Sequence, residues 1–319
     1  MESKFNLIDE PWILVRTPDC KVTEVSLKEV FLNAHEYTEL AGETKTQDFA
    51  ILRLLLAIMH TVFSRYDSQG NEIENENIDY DYPVDNWEEI WNSKRIPTEP
   101  IERYFEKWKD RFWLFDEKYP FYQSNAVNGK GKPYSTAKMI GSLFESGNKA
   151  RLFTERRNDG RILTYSESAR WLLHLNCFDD IAAKKPTPKR TWASRLGLIA
   201  LKGKNLFETL MLNFVADADE NKKNLPSWEQ NASDEFNRLT AIPDNQAELL
   251  SLQSRRIYLH EDNGMISGYY ISGGDYFEEE DVYSEQMTVW RGYTEGKNPQ
   301  VKIKPRLHNS ATKSWQEFS

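Results

Sequence analysis

Between Lys149 and Lys204 the sequence sets thirteen Lys/Arg against five Asp/Glu, a local charge of +8 in a 319-residue chain of net charge −9, which leaves −17 for everything else. Fixed cations confined to one stretch of an acidic molecule suit a polyanion: ammonium and guanidinium groups pair with phosphates and release their counterions, so nucleic acid is the expected ligand class. Arg151, Arg156 and Arg157 flank Phe153 in a turn-rich segment, an aromatic poorly explained as core. Lys184, Lys185, Lys189 and Arg190 share a loop that Pro186 and Pro188 hold extended. Lysine is a point charge without bidentate preference, and no Asn or Gln stands among them to read adenine, so phosphate contacts are expected over base contacts. Lys202 and Lys204 precede a helix start, where free amides and the positive dipole end also favour phosphate. Two blander readings stand beside this one: a solvated charged face, or an interaction scaffold whose basic stretch meets an acidic protein.

Other chemistries find little support. The sequence has no G-x-S-x-G elbow, H-E-x-x-H helix, C-x-x-C pair or Walker A loop. Its five histidines are scattered, and His60 and His174 lie within apolar helical patterns, where a hydrogen-bonded core histidine is the ordinary outcome. A nuclease core assembled from Asp19 and Glu43-Thr44-Lys45 needs the Glu-x-Lys on a strand, yet a long helix begins at that point. Cys20 and Cys177 make neither a disulfide framework nor a zinc site, which suits a reducing cytoplasm. No catalytic residue, metal or cofactor is expected.

The elements that must position the basic stretch are set by periodicity. Residues 5–33 read as strand Ile13–Val15, a Pro18-Asp19 turn, strand Lys21–Val25 and a short helix over Leu27–Asn33 capped by Ser26. Thr44 and Gln47 have capping-box spacing ahead of a helix over about 46–66, apolar nearly all round and therefore buried. No run of eighteen uncharged apolar residues exists, so no membrane span is expected. Residues 67–84 are acidic and aperiodic, a surface loop. Two helices come next in 85–115, the second striped by Ile101, Tyr104, Phe105, Trp108, Phe112 and Phe115. A short helix over Thr136–Phe144 is expected, then a helix from the Thr164/Glu167 capping box to about Cys177. A strand within Leu196–Leu201 precedes a helix from Asn205 to Val215. Residues 217–250 look irregular. Strands are expected at Arg255–His260, Met265–Ser272, Gln286–Arg291 and Gln300–Lys304. The fold class is α+β: a mixed helical and small antiparallel-sheet assembly, helix-rich over 1–216 and β-rich over 250–319.

The order of these pieces resembles the large subunit of the type I-E CRISPR surveillance complex, the CasA family of Cascade. Phe5–Val15 (FNLIDEPWILV) is similar to that family's opening signature, with Leu14 where a second Pro is common. Glu117–Gln123 (EKYPFYQ) is similar to its HPF-x-Q element, with Tyr119 in place of His. Arg151-Leu152-Phe153-Thr154 falls where the family carries an exposed loop with a functional Phe, and Leu196–Val215 is similar to the next strand and helix. The resemblance implies a CasA-like N-terminal domain over 1–319, non-enzymatic and cytoplasmic. It implies as partners the other Cascade subunits, guide RNA, target double-stranded DNA and the CRISPR helicase–nuclease, with a role in inspecting the protospacer-adjacent motif. Phe153 would be the inserted loop residue, 182–190 would stand for the family's glycine-rich motif-sensing loop, and Lys302 or Lys304 would match a lysine near that site. Three departures stand out. The loop lacks glycine, the zinc-type cysteines of some members are missing, and the family's C-terminal helical bundle is expected to be absent, making the chain a fragment or a shortened member.

Overall fold

The most buried helix sits at the centre. In the computed structural model, which describes residues 3–73, 82–140, 162–179, 191–215, 224–231, 233–277, 285–288, 291–295, 298–303 and 316–318, Lys45–Phe63 is helical and Phe49 to Met59 are all buried. By length and composition this helix is apolar enough to cross a membrane, but 94% of its apolar window is covered by the rest of the fold. Thr44 caps it by accepting from the Gln47 amide at 3.2 Å. The reciprocal half of the expected capping box is shifted by one residue, because Gln47 Oε1 accepts from the Glu43 amide. The helix ends at Phe63, three residues short of expectation, where the Arg65 and Tyr66 amides both turn back to the Val62 carbonyl.

In chain order the elements are β1 (Lys4–Asn6), β2 (Ile13–Arg16), β3 (Val22–Val25), α1 (Leu27–Leu32), β4 (Glu39–Leu40), α2 (Lys45–Phe63), α3 (Tyr82–Ser93), α4 (Thr98–Trp108), β5 (Trp113–Phe115), β6 (Tyr134–Ser135), α5 (Tyr165–Phe178), β7 (Ile199–Leu201), α6 (Leu206–Asn213), β8 (Arg238–Leu239), α7 (Gln246–Leu250), β9 (Arg255–Asp262), β10 (Met265–Gly273), β11 (Asp275–Tyr276), β12 (Arg291–Glu295), β13 (Asn298–Ile303) and β14 (Gln316–Phe318). The class is α+β, with small sheets and with the long strands late in the chain. Ser26 forms a full capping box with Glu29. The α4 stripe buries Ile101, Tyr104 and Phe105 as its period requires, and Phe112 and Phe115 continue the same apolar layer beyond the helix end.

Three expectations are corrected. The helix expected from Thr136 is a single 3-10 turn, Thr136–Lys138, and its remainder passes beyond the described residues. The irregular 217–250 stretch contains α7, capped by Asn245 and packed on α2. At the strand expected over Gln286–Arg291, described residues 286–288 show a bridge between Leu198 and Thr288 in place of a strand, residues 289–290 lie outside the described residues, and β12 begins at Arg291. The long hairpin β9–β10 is antiparallel, turning through Asn263 and Gly264, both at positive φ. β6 joins its outer edge, giving the order β6-β10-β9.

Candidate nucleic-acid interface

Helix α5 organises the basic stretch, because one basic segment precedes it and another comes after it. Its N-terminus is closed by the Thr164/Glu167 box: the Glu167 amide donates to Thr164 Oγ1 at 3.2 Å and the Thr164 amide to Glu167 Oε2 at 2.9 Å. Leu163, just before it, exchanges two backbone hydrogen bonds with Ile266 on β10 (3.0 and 2.8 Å). At the other end Asp179 is held by Arg255: Nε donates to Asp179 Oδ2 and Nη2 to the Asp179 carbonyl, each at 2.8 Å. Both side chains are almost wholly buried. Across the gap, Thr191 Oγ1 donates to the Cys177 carbonyl at 2.7 Å. The residues on either side of 180–190, Asp179 and Thr191, are therefore each fastened to the fold. The fourteen residues of α5 set the two basic segments' attachment points about 21 Å apart.

A second buried pair fixes the chain just beyond Thr191. Arg53 on α2 reaches Glu285 with both terminal nitrogens at 3.1 Å, and Trp192 Nε1 donates to Glu285 Oε2 at 2.7 Å. Arg53 also donates to the Leu249 carbonyl, so α2, α7, Trp192 and the 285–288 segment meet at one ion pair. The Ile199 amide donates to the Met287 carbonyl, and β14 lies parallel to β7.

Of the residues singled out from sequence, Arg151, Phe153, Arg156, Arg157, Lys184, Lys185, Lys189, Arg190 and Lys304 lie outside the described residues. Lys302 is on the β12–β13 hairpin, in register with Gly292. Lys202 pairs with Glu39 at 3.0 Å, alongside Arg16 at 2.9 Å. Lys204 is exposed, but the amides expected to favour phosphate before α6 are already taken. The Lys204 amide donates to Glu208 Oε2, the Glu208 amide to Asn205 Oδ1 and the Gly203 amide to Thr209 Oγ1. Arg170, counted in the +8, is buried within α5, where Nη1 donates to Glu24 at 2.6 Å and to the Trp12 carbonyl at 2.7 Å. The positive charge of the stretch is thus concentrated in the segments around α5 and not on it.

Residues 6–319 match the family described as CRISPR-associated protein Cse1. The chain belongs to that family. A curated relative, CRISPR-associated protein CasA/Cse1 of Thermus thermophilus, is 32% identical over 235 residues, covering 71% of this chain and 42% of its own length. The crystal structure of Thermobifida fusca Cse1 superposes with a TM-score of 0.78 at 30% identity, over 95% of this chain and 58% of that one. A chain from a structure titled CRISPR RNA-guided surveillance complex shares the fold, with a TM-score of 0.68 at 18% identity over 96% of this chain and 62% of that chain. The chain thus spans less than half of the curated relative and about three fifths of these solved structures.

Two of the segments that signal the Cse1 family in the sequence, Phe5–Val15 and Tyr119–Gln123, are structural fastenings, while Arg151–Thr154 lies outside the described residues. In the opening signature, Asn6 Oδ1 accepts from the Ile8 amide and Trp12 Nε1 donates to the Leu7 carbonyl, while Trp12 itself is fully buried. In Tyr119–Gln123, Phe121 stacks on Phe112 at 5.2 Å. Gln123 donates to the Leu114 carbonyl at 2.6 Å and accepts from the Leu259 amide at 2.9 Å, tying β5 to β9. The buried ion pairs, Asp179–Arg255 and Arg53–Glu285, carry no sequence signal, because their partners stand 76 and 232 residues apart. The reading of Glu43-x-Lys45 as part of a nuclease strand fails: Thr44 is a helix N-cap, Lys45 opens α2, and Glu43 accepts from Trp171 Nε1. Among the described residues no three His, Cys, Asp or Glu side chains gather as metal ligands.

Proposed function

We propose that this Cse1-family chain serves as part of the large subunit of a type I-E CRISPR RNA-guided surveillance complex. In that role it is non-catalytic and acts in the cytoplasm beside the guide RNA and the other Cascade subunits. It helps inspect the protospacer-adjacent motif, binds target duplex DNA and offers a platform for the helicase–nuclease. The observation that carries the reading is the pair of basic segments attached at the two ends of α5, the second flanked by the buried Asp179–Arg255 and Thr191–Cys177 contacts. Fixed attachment points restrict the ends of a binding segment, which lowers the ordering cost of meeting a phosphate backbone. Phe153, with Arg151, Arg156 and Arg157, supplies the inserted aromatic on the first segment, and Lys184, Lys185, Lys189 and Arg190 supply phosphate contacts on the second. Lys204, Lys302 and Lys304 extend the basic surface, with Lys202 tempered by Glu39.

The test is the salt dependence of duplex binding by the assembled complex. Lys184→Ala with Lys185→Ala is expected to weaken matched and unmatched duplexes about equally and to lower the log–log salt slope by up to about two units. A loss confined to the correct motif would make the loop a base reader. Unchanged affinity would transfer the basic stretch to an acidic protein partner and favour the scaffold reading.

A further inference from the structure

One side chain of the Tyr119–Gln123 element, that of Tyr119, stands outside the core, although its amide donates to Asp116 Oδ1 at 2.6 Å. Pro120, Phe121, Tyr122 and Gln123 are buried or half-buried, and Tyr122 takes a strained positive φ of 53° while its hydroxyl donates to the Ser251 carbonyl. Tyr119 instead stands half-exposed, with the Arg111 guanidinium over its ring 3.5 Å from the centroid and Lys118 Nζ 4.8 Å away. Neither cation has an ion-pair partner among the described residues, although the chain as a whole is acidic. This trio stands at one side of a cleft of about 280 Å³ between residues 118–125 and 227–234. The floor is aromatic, made by Phe121, Tyr122 and the buried Trp228. The lining also includes the exposed residues Asn231 and Asp234, the latter accepting from Ser124 Oγ at 3.2 Å.

We propose that this cleft binds one unpaired nucleotide of a single-stranded nucleic acid. A guanidinium stacked on an aromatic ring offers a plane on which a base can lie, and single-stranded strands are recognised by such stacking together with hydrogen bonds to the base edge. Two cations without ion-pair partners among the described residues suit the flanking phosphate, and the Asn231 amide and Asp234 carboxylate of the same lining suit base donors and acceptors. A volume at the small end of ligand pockets admits a base and excludes a duplex. The cleft lining shares no residue with the basic stretch Lys149–Lys204, and the proposal does not rest on the duplex reading.

The full chain is mixed with hexauridylate carrying a central 4-thiouridine, irradiated, and the crosslinked peptides mapped by mass spectrometry. Crosslinks are expected in residues 111–125 or 227–234. Tyr119→Ala and Arg111→Gln, each keeping the parent's thermal unfolding midpoint, are expected to reduce them about fivefold or more, the low end of what one stacked base contributes. Tyr119→Trp is expected to retain them. The Lys184→Ala, Lys185→Ala pair is expected to leave them unchanged, which separates this site from the duplex surface. Crosslinks confined to other segments, no crosslinks at saturating oligonucleotide, or crosslinks indifferent to both cleft variants would overturn the proposal.

Discussion

His60 lies in the middle of α2 with its ring edge-on to Phe214 at 4.7 Å and its Nε2 buried without a hydrogen-bond partner. Burial holds its pKa down to about 3, and that of His174, which meets Thr46 Oγ1 at 3.1 Å, down to about 4. Both rings are neutral in the folded chain but titrate near 6.5 once unfolded. Their contribution is therefore complete above pH 6.5 and is lost as the pH falls toward 4 and 3, at up to about 1.4 kcal/mol per pH unit for each histidine. Acid sensitivity in that window is the expected outcome. His60→Leu should remove about one histidine's share of the slope in chemical denaturation series, and an unchanged slope would contradict the assignment. Phe153 belongs to the same scale. Phe153→Ala should impair target binding by the assembled complex while the unfolding midpoint stays put. A loss of about 3–5 kcal/mol of stability with DNA affinity intact would make Phe153 a core residue instead.

Among the elements, local signals are readable wherever the chemistry is local. The Thr164/Glu167 box, the Ser26 and Asn205 caps and the apolar face of α4 lie within a few residues of one another, and each places its helix start within about a turn. Helix α7 escapes the sequence because five residues give too short a period to stand out, and its place is set by packing on α2. The pairing of β14 with β7 and of β11 with β8 depends on partners far apart in sequence, which no local pattern encodes. The candidate site is half readable. Charge locates the basic stretch, but only the fold separates Arg170, spent on Glu24, from cations available to a ligand. The Arg53–Glu285 pair gives the sharpest prediction at this scale. Glu285→Ala leaves a guanidinium buried without its carboxylate and should cost roughly 3–5 kcal/mol, whereas Arg53→Met combined with Glu285→Leu should recover most of that loss. Denaturant titration of the two variants distinguishes the outcomes. Equal losses in single and double variants would mean that shape, not charge, holds α2 to Trp192.

For the molecule as a whole, the proposed role assigns the basic stretch Lys149–Lys204, net +8 in a chain of net −9, to a nucleic acid. The Cse1 membership and the shared fold make a guide-RNA particle the natural assembly to look for. The most direct measurement is affinity purification of the tagged chain from cells that express a type I-E CRISPR locus, with sequencing of bound RNA and mass spectrometry of bound proteins. The account predicts a stoichiometric particle carrying a repeat-derived guide RNA, which gains affinity for matched duplex DNA when the chain is present. A chain recovered with an acidic protein and no RNA, or a particle whose duplex affinity is the same without it, would contradict the account.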